Sequence, residues 1–71
     1  MTRGEHMREA RLKAGLTLRE LGNISGVQFV TIGRLELGKR AGSIQTIELL
    51  ADALGLSIDE YTGHEKHGGA L

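Results

Sequence analysis

The chain has no cysteine, no proline and no tryptophan, and its only aromatic residues are one phenylalanine and one tyrosine. Without cysteine, neither a disulfide nor a thiolate zinc site can stabilise the fold. The longest apolar run, Leu49-Leu50-Ala51, is too short for a membrane span or a signal peptide. We therefore expect a soluble, cytoplasmic protein with one small core, the most that 71 residues can form.

Apolar residues recur at helical spacing, and no segment alternates as a strand does. Thr17, Ser43 and Ser57 are suited to be N-caps, and Glu60 completes a capping box with Ser57. The pattern predicts an all-α fold of five helices, near residues 4–14, 18–25, 28–37, 43–54 and 57–62. We expect residues 1–63 to form the domain and residues 64–71, which are polar and without period, to form a flexible C-terminal tail.

The predicted core consists of apolar residues that recur on one side of each helix. Its members are Met7, Leu12, Leu16, Leu21, Ile24, Val27, Ile32, Leu35, Ile44, Ile47, Leu50, Ala51, Leu54, Leu56 and Ile58.

The segment from Gly15 to Arg40, GLTLRELGNISGVQFVTIGRLELGKR, carries most of the functional information. It contains two short amphipathic helical patterns joined at Ser25-Gly26-Val27, where Gly26 allows a sharp reversal. Two helices folded back through a short glycine turn form a helix-turn-helix, whose second helix fits the major groove of DNA. The segment therefore favours a DNA-binding protein.

Charge is segregated along the chain although the formal net charge is zero. Residues 1–40 carry eight basic and four acidic side chains, whereas residues 41–71 carry one basic and five acidic. A local basic surface is what binding to phosphates requires, so this asymmetry favours a polyanionic partner for the N-terminal half. A chance excess of charge on solvated helix faces is the alternative.

From Met7 to Tyr61 the sequence resembles the Cro/cI-type (Xre-like) helix-turn-helix domain of bacterial and phage repressors. The resemblance rests on the combined spacing of Gly15-Leu16-Thr17, Leu21-Gly22, Gly26-Val27, Ile32, Glu36-Leu37-Gly38-Lys39 and the stretch LADALGLS at residues 50–57. It implies a five-helix lambda-repressor-like fold with the helix-turn-helix at helices 2 and 3. It also implies a structural ion pair between Arg11 and Glu36 and a close helix contact at Gly22. Ser25 stands where relatives carry leucine, so we expect Ile24 to supply the missing apolar volume.

By the same resemblance, DNA would contact the start of the second helix, the outward face of the third and the loop after it. Leu18 stands where relatives carry glutamine, and Phe29 and Val30 replace polar residues but can contact thymine methyl groups. Partial burial of Phe29 and Val30 is the alternative. The implied base-reading residues are Gln28, Phe29, Val30, Thr31 and Arg34, and the implied phosphate contacts are Thr17, Leu18, Arg19, Lys39 and Arg40. For Arg34 the alternative is a salt bridge to Glu20 or a neighbouring acid. For Gln28 it is a role as a helix-start residue only, and for Lys39 and Arg40 it is a solvated turn.

The expected partner is double-stranded DNA, bound by a homodimer that associates through Leu56, Ile58 and Tyr61; the alternative for these three is intramolecular core. We expect a transcriptional repressor of phage, mobile-element or bacterial type, and no enzyme, cofactor, metal site or small-molecule ligand. His64-Glu65-Lys66-His67 is one residue short of the HExxH zinc motif and falls in the predicted tail. The alternatives are a protein-interaction module on the same scaffold, favoured by the apolar residues of the DNA face, and a DNA-binding antitoxin.

Overall fold

A computed structural model describes residues 1–63, which form five α-helices and no strand. The helices are α1 (Arg3–Lys13), α2 (Leu18–Ser25), α3 (Phe29–Glu36), α4 (Ile44–Ala53) and α5 (Ile58–Thr62). The all-α, five-helix prediction is confirmed, and each predicted end is within one residue of the observed one. None of these helices has the length and hydropathy needed to cross a membrane. The predicted tail, including His64 to His67, lies outside the described residues.

Four of the helices have an N-cap residue with a hydroxyl side chain. Thr17, Ser43 and Ser57 each accept a hydrogen bond from the backbone N–H three residues further on, as predicted. Thr2 caps α1 in the same way, and the Glu5 carboxylate accepts a hydrogen bond from the Thr2 N–H. This first capping box was not predicted. Such caps satisfy backbone donors that have no partner inside the helix.

The core lies between the five helices, and each helix contributes at least one fully buried residue to it. All of its fully buried members except Tyr61 belong to the predicted core. Five more predicted members, Leu16, Val27, Leu54, Leu56 and Ile58, are half-buried against it. The buried cluster consists of Met7, Leu21, Ile32, Leu35, Ile47, Leu50, Ala51 and Tyr61.

The core prediction is wrong for three residues, because Leu12, Ile24 and Ile44 are 49%, 58% and 70% exposed. Ile24 does not replace the missing leucine, since Ser25 itself is buried and its Oγ accepts a hydrogen bond from the Val27 N–H. Ile44 is the first residue of α4, directly after its N-cap, where the side chain projects into solvent. Local hydrogen bonding and helix ends have overridden apolar periodicity at these positions.

Tyr61 was predicted to lie on a self-association surface, and this is wrong because its ring is fully buried in the core. Burial also raises the pKa of its hydroxyl group. No atom of residues 1–63 forms a hydrogen bond with that hydroxyl. Leu56 and Ile58, the other two residues of the predicted surface, are half-buried against the same core.

An ion pair links α1 to the end of α3. Arg11 Nε donates to Glu36 Oε2 at 2.8 Å, and Arg11 Nη2 donates to Glu36 Oε1 at 3.0 Å. A third donor, Arg11 Nη1, bonds the Leu16 carbonyl oxygen at 2.9 Å. The two side chains are 9% and 5% exposed, so the pair is nearly dry. Hydrogen bonding to Glu36 raises the pKa of Arg11. The ion pair implied by the family resemblance is therefore formed.

The start of α1 lies against the backbone of α3. A Cβ at Gly4 would overlap the carbonyl oxygen of Glu36 and lie 2.9 Å from that of Leu35. Only glycine allows this approach, and it places α1 so that Arg11 reaches Glu36. Gly33, on the outer side of α3, differs, because a Cβ there would lie 3.6 Å from Leu18 Cδ1, an ordinary contact.

These two glycines give opposite predictions for alanine. Gly4→Ala should lower the free energy of unfolding by about 2 kcal/mol, because overpacking against backbone outweighs the gain in helix propensity. Gly33→Ala should raise it by up to about 1 kcal/mol through helix propensity alone. Urea unfolding followed by circular dichroism measures both changes. A Gly4→Ala protein as stable as the parent would show that this contact is not tight.

Breaking the ion pair should cost more than removing an exposed charge from the same helix. Arg11→Met should destabilise by about 3 kcal/mol because it leaves the Glu36 carboxylate buried and unpaired. A domain of this size has a total stability of roughly 5 kcal/mol, so the loss should be conspicuous in urea unfolding. The matched control, Arg8→Met, removes an exposed arginine and should change stability by less than about 0.5 kcal/mol.

The double replacement Arg11→Met with Glu36→Leu should recover most of that loss, since an apolar pair leaves no charge without a partner. Additive losses from the two single changes would contradict the assignment of the cost to an unpaired buried charge.

Candidate nucleic-acid interface

α2 and α3 are packed unusually closely at the turn that joins them. Gly26 ends α2 with φ at 80°, the left-handed conformation that glycine adopts most readily. A Cβ at Gly22 would lie 2.9 Å from the Val27 carbonyl oxygen and 3.4 Å from the Phe29 backbone nitrogen. The absent side chain at position 22 therefore sets the distance between the two helices, as the sequence predicted.

The N-terminal turn of α2 offers backbone donors to an anion. Thr17 Oγ1 accepts a hydrogen bond from the Glu20 N–H, and the Glu20 carboxylate accepts one from the Thr17 N–H. The N–H groups of Leu18 and Arg19 come next and have no acceptor within the helix. The Leu18 side chain instead packs against the core. At position 18 only the backbone N–H is left to bond a phosphate.

α3 presents a mixed face to solvent. Gln28 is its N-cap residue and makes no side-chain capping bond, so its amide is uncommitted within residues 1–63. Val30 is 47% exposed, whereas Phe29 and Thr31 are half-buried. Arg34 is exposed, and it forms no salt bridge to Glu20 or to any other acid of the described chain.

Phe29 is covered on one face by a cation. The Arg19 guanidinium carbon lies 4.4 Å from the centroid of the Phe29 ring, within the range of a cation–π contact. The pair joins a predicted phosphate contact on α2 to a predicted base-reading residue on α3. Sequence reasoning named both residues but not their contact.

The loop after α3 carries exposed Lys39 and Arg40, and the first helix helps to position it. Arg3 Nη2 donates to the Ala41 carbonyl oxygen at 3.0 Å. Lys39 N–H bonds back to the Arg34 carbonyl oxygen at 2.9 Å, which closes the end of α3. Arg3 was not predicted to belong to this region, because no local pattern shows a contact across 38 positions.

The predicted DNA surface consists of three segments, the start of α2, the exposed residues of α3 and the loop 38–42, and its exposed cations are Arg19, Arg34, Lys39 and Arg40. The surface holds all ten predicted DNA contacts, and it includes the exposed Leu37 at its edge. Within residues 1–63 no cluster of three or more acidic or histidine side chains could hold a metal ion. One side of α3 is buried through Ile32, Leu35 and Glu36, and the exposed residues on its other side are of types suited to contact phosphates and base edges.

Two helices of this length and spacing, the second exposed and flanked by cations, define a helix-turn-helix DNA-binding domain. A sequence profile described as helix-turn-helix matches residues 7–61, and the chain therefore belongs to this Xre/Cro-like helix-turn-helix family. Comparisons with curated proteins and with solved structures gave no match.

Proposed function

We propose that this protein is a sequence-specific transcriptional repressor of phage, mobile-element or bacterial type. It acts in the cytoplasm, where α3 enters the major groove of double-stranded DNA. The observation that carries the proposal is the uncovered face of α3, with Gln28, Val30 and Arg34 outermost and cations at both of its ends. The family assignment supports DNA binding in general, and the specific contacts are our assignment.

Lys39, Arg40 and the backbone N–H groups at the start of α2 hold phosphates in this proposal. Lysine and arginine neutralise phosphates directly, and a helix N-terminus adds oriented donors and a partial positive charge. Arg3 keeps the loop 38–42 in place through its bond to Ala41. These contacts set the position of α3 on the duplex without selecting a sequence.

Base selection belongs to the outer residues of α3. Gln28 can form paired hydrogen bonds with adenine, and Arg34 with guanine. Val30 and the free edge of Phe29 can contact thymine methyl groups. Since a single α3 covers only a few base pairs, we propose a homodimer that binds two half-sites about 34 Å apart, with Leu56 and Ile58 in its interface and Tyr61 excluded.

A protein-interaction module is the second candidate, because Val30 and Leu37 are 47% and 72% exposed on this same surface. Exposed apolar residues that cluster mark protein contacts more often than DNA contacts. A DNA-binding antitoxin would combine the two functions. The salt dependence of DNA binding separates a DNA-binding protein from a module that binds protein alone.

Affinity for generic duplex DNA should fall steeply as salt rises, with a log–log slope of about −0.9 for each phosphate contacted. Replacing Lys39 and Arg40 by alanine should flatten the slope by about 0.9 for each lost contact. Fluorescence anisotropy of a labelled duplex across a salt series measures the slope. A parent protein without salt-dependent binding would favour the protein-interaction module.

The matched control replaces Arg8, an exposed cation of α1, by alanine and is compared with Lys39→Ala alone. Both single variants change the net charge by the same amount, but Arg8 lies beside Met1, Glu5 and Glu9 of the α1 region, outside the helix-turn-helix. The salt slope of Arg8→Ala should equal that of the parent. Equal flattening in both single variants would show that overall charge, and not contact at the loop, governs binding.

Phe29→Ala should change the sequence selected from a random oligonucleotide pool and leave binding to generic duplex intact. The reason is that the residue lies at the start of α3 and carries no charge that could hold a phosphate. Sequencing of the selected pools gives the preferred site, which should contain two inverted half-sites. If the variant selects the same site as the parent, Phe29 has no part in base selection.

A further inference from the structure

Arg19 and Phe29 form a cation–π pair that joins the first turn of α2 to the first turn of α3. Arg19 is the second residue of α2 and is exposed, and Phe29 is the first residue of α3 and is half-buried. The guanidinium carbon is 4.4 Å from the ring centroid. Within residues 1–63 no carboxylate forms a salt bridge with Arg19 and no oxygen accepts a hydrogen bond from its side chain. Its donors are therefore uncommitted.

Gly22 explains why the ring lies beneath the guanidinium. Arg19 and Gly22 are three residues apart, so they share a face of α2. A Cβ at position 22 would be 3.5 Å from the Phe29 Cβ, so the first turn of α3 lies directly against this face. Phe29 is held against α2 at its backbone and Cβ and is half-buried, so its ring has less freedom than the exposed side chain of Arg19. The ring is thus the fixed partner and the guanidinium is the group that it orients.

Leu18 supplies no hydrogen-bonding side chain at this corner of the surface, so Arg19 is the residue of the first turn of α2 whose side-chain donors face the groove. The Leu18 side chain is turned towards Gly33 and the core and cannot form a hydrogen bond. An open groove of about 550 Å³ lies beside the pair, lined in part by Gly22, Asn23 and Gln28. The guanidinium carbon lies over the ring and the groove opens beside it, so a ligand can approach the donors of Arg19 from the groove.

We infer that Arg19 is a base-reading residue with guanine as its target, and that Phe29 is the positioning residue that orients it. This inference rests on the proposed binding of α3 in the major groove. Arginine donates two parallel hydrogen bonds to O6 and N7 of guanine, and both donors lie on the edge of the guanidinium plane. Stacking leaves that edge free and reduces the rotamer freedom that would be lost on binding. Base selection thereby extends from α3 to α2.

Site selection with four proteins tests the inference: the parent, Arg19→Lys, Arg19→Ala and Phe29→Leu. The parent should select a guanine that Arg19→Lys and Arg19→Ala select about tenfold less strongly. Arg19→Lys keeps the charge but lacks the paired donors, so its salt slope should equal that of the parent. Phe29→Leu keeps an apolar side chain but loses the stacking, and should weaken preference for the same guanine about threefold.

The stacking itself is tested in the free protein by nuclear magnetic resonance. Ring current from Phe29 should shift the Arg19 side-chain protons upfield, and Phe29→Leu should abolish this shift. In an Arg19→Ala background, Phe29→Leu should cause no further loss of preference for that guanine, because there is no guanidinium left to orient. A further loss as large as in the parent background would overturn the role of Phe29 as a platform.

The remaining outcomes each overturn a different statement. If Arg19→Ala weakens all sequences equally, flattens the salt slope by about 0.9 and leaves the selected site unchanged, Arg19 contacts a phosphate and the inference is wrong. If the parent selects a site that Arg19→Lys also selects, the inference fails while the proposed function stands. If the parent binds no DNA, both fail together.

Discussion

The bidentate pair between Arg11 and Glu36 is the interaction on which the position of α3 depends. A single guanidinium bonds the carboxylate at the end of α3 and also the Leu16 carbonyl oxygen, just before α2 begins. It therefore joins α1 to both helices of the helix-turn-helix. A nearly buried charge pair tolerates little displacement, because a lost hydrogen bond leaves a desolvated charge. The ion pair on the buried side of α3 therefore also determines which face of the helix is exposed to solvent.

Two glycines set the spacing of the same three helices, because the lack of a side chain lets neighbouring backbone atoms approach closely. Gly4 lets α1 lie on the carbonyl groups that end α3, and Gly22 lets the turn and α3 lie on α2. Backbone atoms are in contact at both places, so the geometry cannot be adjusted by a change of rotamer. A small domain without disulfides thus fixes the positions of these helices through close backbone approach and one ion pair.

The fold was largely predictable because its determinants are local. Helical periodicity, with hydroxyl N-caps at α2, α4 and α5, located every helix within one residue, and the family resemblance implied the Arg11–Glu36 pair. The predicted burial of Ile24 was wrong because Ser25 is buried instead and accepts a hydrogen bond from the Val27 N–H in the turn. A hydropathy pattern contains no information about such a hydrogen bond. For Tyr61 the alternative of intramolecular core holds, because a five-residue helix offers too short a pattern to separate a residue facing the core from one facing a partner.

The candidate site was less predictable, because its new features are contacts between distant residues. The sequence named Arg19 and Phe29 separately, and no pattern indicated that they stack. The bond from Arg3 to Ala41 joins residues that share no motif. The assignment of individual side chains to bases or phosphates stays a prediction, since it depends on a partner and not on the chain alone.

The bond between Arg3 and the loop 38–42 has a consequence for the dynamics of the free and bound protein. Helix ends open more often than helix centres, so the first turn of α1 should exchange its amide hydrogens readily with solvent. Opening that turn also releases the Ala41 carbonyl oxygen from Arg3. A duplex that immobilises the loop therefore opposes this opening, and amides at the start of α1 would gain exchange protection without touching nucleic acid.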